Sequence, residues 1–115
     1  MRSMTACRRG DVVLLGFVFS DELGKKLRPA VVISSSAYNR WRKEVVVAAI
    51  TSNVRRRLFG DHLIMDWKSA GLLFPSVATG ILRTVTRGMI YRKLGVMAKV
   101  DVDAVDNGLR RSLAL

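Results

Sequence analysis

Short apolar runs recur along the chain, separated by polar stretches that carry Gly, Pro or Arg. Each run has the length of a strand and is rich in β-branched residues, which favours strands over helices. We therefore predict strands over residues 11–19, 30–34, 44–51, 62–67, 76–85 and 91–97. The third run (EVVVAAIT) is almost continuously apolar, which predicts burial on both faces. Gly80 interrupts the fifth run, where a bulge or a close approach of another backbone is expected.

Two other segments have helical features. Ser35 and Ser36 can cap a short helix over residues 37–43, with Tyr38 and Trp41 on one face that packs into the core. Near the end of the chain, apolar residues recur at helical spacing at Val102, Val105, Leu109 and Leu113. This stripe predicts a terminal helix that faces the core or a second subunit. Several short strands and few helices predict a mainly β α+β fold, built as a curled antiparallel sheet or small barrel.

The length and the charge of the chain indicate one domain with a polyanionic partner. The chain has 115 residues, with 20 Lys and Arg against 9 Asp and Glu and a net charge of +11. This length predicts a single domain over residues 9–115, preceded by a flexible N-terminal segment over residues 1–8. The basic residues cluster in or beside the expected turns, which indicates binding to a nucleic acid or to an acidic protein.

Cysteine usage and hydropathy narrow the cellular setting. Cys7 is the only cysteine, which excludes an intrachain disulfide framework and a cysteine-rich zinc site. The N-terminal residues lack the apolar region of a signal peptide, and no window approaches the ~18 consecutive apolar residues of a membrane span. We expect a cytoplasmic protein that does not bind membranes.

Side chains suited to catalysis are scarce. His62 is the only histidine, which excludes a two-histidine acid–base pair within one subunit, and we expect it to be structural. The sequence contains neither a metal-ligand motif nor a glycine-rich phosphate cradle, so no metal and no cofactor are expected. Arginine and hydroxyl groups remain, and they can orient an RNA phosphate whose own 2′-hydroxyl is the nucleophile. The same scarcity also fits a pure binding protein, and composition leaves both possibilities open.

Three blocks of the sequence resemble the MazF/PemK family, the toxins of bacterial type II toxin–antitoxin pairs. They are residues 9–13 (RGDVV), 26–34 (KLRPAVVIS) and 47–53 (VAAITSN). Residues 73–77 (LFPSV) and the terminal helix extend the resemblance over residues 9–114. The blocks are specific in this order and at these separations.

The resemblance implies an SH3-like small barrel with a C-terminal helix, a homodimer, and cleavage of single-stranded RNA. It also implies neutralisation by a cognate antitoxin with an acidic and apolar tail. The family's catalytic Arg and Thr fall on Arg28 of the RP pair and Thr51 of the ITS block. Residues 79–84 (TGILRT) depart from the family pattern because they lack its polar middle, so the recognised RNA sequence cannot be transferred.

Further RNA contacts are expected around the two catalytic residues. The candidates are Lys25, Lys26, Ser52, Asn53, Arg55, Arg56, Arg57 and Arg83. Phe17 or Phe19 is a candidate stacking platform, and Leu72, Leu73 and Phe74 are candidates for a dimer or antitoxin contact or for core packing. Two alternatives stay open: a non-catalytic toxin of the same fold that inhibits a topoisomerase, and a basic nucleic-acid-binding barrel.

Overall fold

A computed structural model describes residues 7–18 and 25–115. The elements follow the chain in the order β1 (Asp11–Val18), β2 (Lys25–Val32), α1 (Ser36–Trp41), β3 (Glu44–Thr51), β4 (His62–Leu63), β5 (Val77–Thr86), a 3-10 turn (Arg87–Met89), β6 (Ile90–Val96) and α2 (Lys99–Leu113). The predicted mainly β α+β organisation with a C-terminal helix is confirmed. Within the described residues, no helix is long and apolar enough to cross a membrane.

All six strands belong to one antiparallel sheet with the strand order β4-β5-β3-β2-β1-β6. β4 and β6 form the two edges, and no pairing joins them across the part of the chain that the structure describes. The expected small barrel is therefore an open sheet, because its two ends do not meet through backbone hydrogen bonds.

The strands bury apolar side chains on both faces of the sheet. One cluster contains Val12 together with Val105 from α2, and a second cluster contains Val13 together with Cys7. Successive residues of a strand point to opposite faces, which is why Val12 and Val13 enter different clusters. Of residues 1–8, the structure describes only the last two, and the Cys7 side chain is 3% exposed.

β2 begins earlier than the sequence pattern predicts, at Lys25. Its pairing with β3 starts only at Ala30, because Pro29 has no N–H to extend the ladder. β2 and β3 are therefore no longer paired on the Lys25 side of Pro29. The predicted loop over residues 20–26 lies mostly outside the described residues, as do Phe19 and the side chain of Phe17.

The strand predicted over residues 62–67 is wrong beyond its first two residues, since β4 covers only His62–Leu63. The backbone N–H groups of Met65 and Asp66 donate to the carboxylate of Asp101, at 2.8 and 3.0 Å, rather than to a strand. The acceptor lies more than thirty residues away in the chain. The local pattern could not have indicated it.

Helix α1 begins as predicted but does not present Trp41 to the core. The hydroxyl of Ser35 accepts the N–H of Tyr38 at 3.0 Å and so caps the helix. The Trp41 side chain is 81% exposed, so the prediction of core packing is wrong. The buried position of this short helix is Asn39, whose Nδ2 donates to the carbonyl of Cys7 at 3.0 Å.

The bulge predicted at Gly80 is confirmed. In the register of β3 with β5, Ala48 pairs with Leu82 and Ile50 pairs with Ala78, so the intervening residues of β5 exceed those of β3. The freed N–H of Gly80 donates to Oδ1 of Asp61 at 3.0 Å. This bond ties the loop that follows β3 to the bulged strand.

Candidate active site

A cleft of about 720 Å³ opens where β2 and β3 stop pairing. Its apolar lining includes Leu14, Pro29, Ile50 and Leu94, from four different elements or their ends. Its polar lining is formed by Arg28, Thr51, Ser52, Asn53, Ser76 and Arg92. Among the described lining residues, the charged side chains are arginines and none is a carboxylate, so the cleft favours an anion.

The register of β2 with β3 brings Arg28 and Thr51 together. Ala30 pairs with Ala49, and continuing this antiparallel register by two positions sets Arg28 opposite Thr51. Both residues line the cleft. The two predicted catalytic residues therefore line the same cleft, at the point where the two strands separate.

The hydroxyl of Thr51 is oriented by the turn that follows β3. Its Oγ1 accepts the backbone N–H of Asn53 at 3.1 Å, and Oδ1 of Asn53 accepts the N–H of Arg55 at 3.3 Å. Side chains of this kind commonly replace backbone acceptors in turns. In the bond to Asn53 the hydroxyl of Thr51 is the acceptor, so its own proton can be donated to a ligand in the cleft.

Residues 71–74 also line the cleft, and we call this segment the 71–74 wall. Gly71 has a φ of +82°, and a Cβ at this position would lie 2.1 Å from the carbonyl oxygen of Leu94. Only glycine satisfies both conditions, so the wall packs directly on the backbone of β6. Leu73 and Phe74 are 82% and 62% exposed, which leaves their apolar side chains available to a ligand or a partner.

A buried carboxylate from α2 holds the segment that leads into the wall. Asp101 is fully buried, and its oxygens accept the N–H groups of Met65 and Asp66 and lie 2.7 Å from Nε2 of His62. Burial raises the pKa of the Asp101 carboxyl, but the backbone N–H groups and the His62 ring outweigh burial and bring it below its ordinary value. His62, predicted to be structural, belongs to this cluster and does not line the cleft.

The predicted RNA-binding residues divide into those that line the cleft and those that surround it. Ser52 and Asn53 line it. The described side chains of Lys26, Arg55, Arg56, Arg57 and Arg83 are exposed and do not. Lys25 is the first residue of β2, and its side chain is not among those that the structure describes.

Arg92 of β6 lines the cleft, and the sequence reasoning missed it. The alternation of Arg92 with Leu94 was a visible signal, because residues two apart in a strand share a face. That signal required the strand order, which places β6 next to β1 and away from its neighbours in sequence. In the described ranges, 7–18 and 25–115, no group of three or more His, Cys, Asp and Glu residues is placed to hold a metal ion.

Known proteins resemble the chain over almost its whole length. A sequence profile of the family described as "PemK-like, MazF-like toxin of type II toxin-antitoxin system" matches residues 8–113. The curated "Endoribonuclease MazF" of Staphylococcus epidermidis is 33% identical over 111 residues, covering 94% of this chain and 92% of that protein.

Solved structures share the fold at lower identity. An endoribonuclease in complex with its cognate antitoxin from Mycobacterial species superimposes with a TM-score of 0.76 at 22% identity, covering 96% of this chain and 97% of that one. A MazE–MazF structure from Deinococcus radiodurans superimposes with a TM-score of 0.77 at 20% identity, covering 96% and 98%. The open six-stranded sheet with its C-terminal helix is therefore a known arrangement.

Proposed function

Because the chain belongs to the PemK-like, MazF-like toxins of type II toxin–antitoxin systems, which are endoribonucleases, we propose that it cleaves single-stranded RNA with Arg28 and Thr51 as its catalytic residues. The observation that carries this proposal is the presence of an arginine and an oriented hydroxyl in one cleft, where no described lining residue is a carboxylate. RNA supplies its own nucleophile, so these two groups suffice to bind and polarise the phosphate. An RNA substrate also assigns the action of the protein to the cytoplasm.

In the proposed reaction the 2′-oxygen of one nucleotide attacks the adjacent phosphorus, and the 5′-oxygen of the next nucleotide leaves. The guanidinium of Arg28 binds the non-bridging oxygens and opposes the charge that develops on them. The hydroxyl of Thr51 donates a hydrogen bond to the same phosphoryl group. The 2′-hydroxyl loses one proton and the leaving oxygen gains one, so the products are a 2′,3′-cyclic phosphate and a 5′-hydroxyl.

Incubation of the purified protein with a long single-stranded RNA in EDTA tests the proposal. We expect discrete fragments that end in cyclic phosphate, because no metal takes part in the proposed step. Intact RNA that is nevertheless bound would favour the basic nucleic-acid-binding protein. Intact RNA with inhibition of a topoisomerase would favour the non-catalytic toxin.

RNA affinity is expected to fall steeply with salt. Arg55, Arg56 and Arg57 form an exposed basic loop directly after the Thr51 turn, where the phosphates that flank the cleaved one would lie. For single strands, the log–log slope of affinity against salt is about −0.7 for each phosphate neutralised. The Thr51→Ala protein should bind RNA and cut it far more slowly, so titrations of this variant at several salt concentrations measure this slope. A flat dependence would mean that the basic loop serves another partner.

We further propose that the chain forms a homodimer and is inhibited by an acidic antitoxin. The apolar stripe of α2 is only partly buried inside one subunit, since Val105 is buried but Leu113 is 52% exposed.

Antitoxins bind the mycobacterial endoribonuclease and the Deinococcus MazF in their solved complexes. Here the exposed Leu73 and Phe74 can hold apolar anchors while the cleft arginines bind carboxylates. A monomer in sedimentation at micromolar concentration would contradict the dimer, and simultaneous binding of RNA and antitoxin would contradict competition at the cleft.

A further inference from the structure

Four cleft residues form a row across the sheet. Leu14 of β1 pairs with Arg92 of β6 on one side and with Pro29 of β2 on the other. The β2–β3 register, continued by one position, adds Ile50 as the fourth member. All four residues line the cleft. The row therefore has a cation at its β6 end and apolar residues through its middle and its β3 end.

Arg28 and Thr51 are each adjacent in sequence to a member of this row. Arg28 precedes Pro29 in β2, and Thr51 follows Ile50 in β3. Neighbouring strands lie about 4.8 Å apart, so the backbone at Arg92 is about 10 Å from the backbone at Pro29. Leu14 fills the interval between them, which suits a ribose or base better than a phosphate.

The guanidinium of Arg92 is available to a ligand. In the part of the chain that the structure describes, it makes no ion pair or hydrogen bond, and the residue is exposed. Its neighbour Lys93 differs, because the ammonium of Lys93 lies 3.3 Å from the carboxylate of the buried Asp11. The ammonium of Lys93 is therefore paired within the protein, whereas Arg92 lines the cleft.

We propose that Arg92 binds the phosphate of a nucleotide that flanks the cleaved bond, so that RNA crosses β6, β1, β2 and β3 along this row. The inference rests on the proposed function, because it assigns the second phosphate of the same substrate. Arg28 and Thr51 hold the phosphate that is cut, and Arg92 holds the neighbouring one. The apolar residues between them contact the intervening nucleoside, and the exposed ring of Phe74, which also lines the cleft, covers it.

A chemical double-mutant cycle tests this assignment. The strongest cleavage site is first mapped on a long transcript, and short RNAs containing it are synthesised with one uncharged methylphosphonate linkage at each flanking position in turn. For the wild type, we expect one flanking linkage to slow cleavage about tenfold, the effect of losing a charged hydrogen bond at an exposed site. On the unmodified RNA, the Arg92→Ala protein should cleave about tenfold more slowly than the wild type. The linkage that slows the wild type should not slow the Arg92→Ala protein any further.

The controls separate this inference from a general loss of charge. Arg40→Ala removes one exposed arginine from α1, away from the cleft, and should respond to each linkage as the wild type does. A wild-type rate for Arg92→Ala would overturn the assignment. The assignment would also be overturned if every linkage that slows the wild type slowed the Arg92→Ala protein as well.

A binding measurement keeps the two proposals distinguishable. If the wild type cuts no RNA, the proposed function fails, and a short single-stranded RNA that the protein binds is then titrated with the Thr51→Ala protein, with one methylphosphonate linkage at each position in turn. Arg92→Ala in this background should weaken binding of the unmodified RNA and abolish the effect of one linkage. Equal affinities with and without Arg92 would overturn the inference whatever the outcome for catalysis.

Discussion

Arg28→Ala is expected to reduce RNA cleavage by about 100- to 1000-fold, the usual effect of removing one donor that stabilises a developing oxyanion. Arg28 is exposed at the cleft, so the substitution leaves the two cores unchanged. Arg28→Lys should restore little activity, because an ammonium cannot bind two phosphate oxygens in the fixed geometry of a guanidinium. Single-turnover rates on a long RNA, with circular dichroism as a check on folding, measure the effect.

Thr51→Ala is expected to cause a loss of similar size through the missing hydroxyl. Thr51→Ser keeps the hydroxyl that accepts the N–H of Asn53 and should retain most activity. Arg56→Ala supplies the matched control, because Arg56 lies in the exposed basic loop and does not line the cleft. It should weaken RNA binding modestly and leave the rate at saturating RNA unchanged. Near-normal cleavage by a folded Arg28→Ala or Thr51→Ala protein would contradict the proposed mechanism.

Local signals in the sequence predicted most of the sheet and the central part of the site. β1 and β3 have the β-branched composition that the pleated, buried positions of a sheet require, and their limits agree with the prediction to within one residue. Arg28 and Thr51 were predicted as catalytic residues from motifs that resemble those of the family, and both residues line one cleft.

Long-range contacts account for what the sequence could not predict. β4 is short because the carboxylate of Asp101, far along the chain, accepts the N–H groups that a longer strand would have used. Arg92 was missed because β6 lies beside β1, and no local pattern gives the order of strands in a sheet. Closure of a barrel likewise depends on how the edge strands meet, which hydrophobic spacing does not determine.

The cluster around Asp101 is expected to carry a large share of the stability of the fold. Asp101→Ala leaves the part-buried N–H groups of Met65 and Asp66 without their acceptor, which should lower the free energy of unfolding by about 2 kcal/mol at neutral pH. Asp103→Ala is the matched control on the same helix. Asp103 is exposed and, among the described residues, pairs with Lys99 alone, so its loss should cost no more than about 0.5 kcal/mol. Urea unfolding of the three proteins measures both values.

The same cluster predicts how stability depends on pH. The pKa of Asp101 lies below its ordinary value of 3.8 in the folded protein, so the stabilisation from its carboxylate is present above pH 3.8 and is lost as the pH falls through the folded-state pKa. The difference in unfolding free energy between the wild type and Asp101→Asn should therefore shrink as the solution is acidified below that pH. A difference that stays constant down to the lowest pH at which both proteins fold would show that the carboxylate charge is not what stabilises the cluster.

The Asp101 variant also tests whether the 71–74 wall contributes to substrate binding. The segment held by Asp101 leads directly into this wall, whereas Arg28 and Thr51 are positioned by β2 and β3. Loosening the segment should therefore raise KM while the rate at saturating RNA changes little, measured where the variant is still folded. A fall in kcat with an unchanged KM would mean instead that the Asp101 cluster acts on the two catalytic residues and that the wall does not hold RNA.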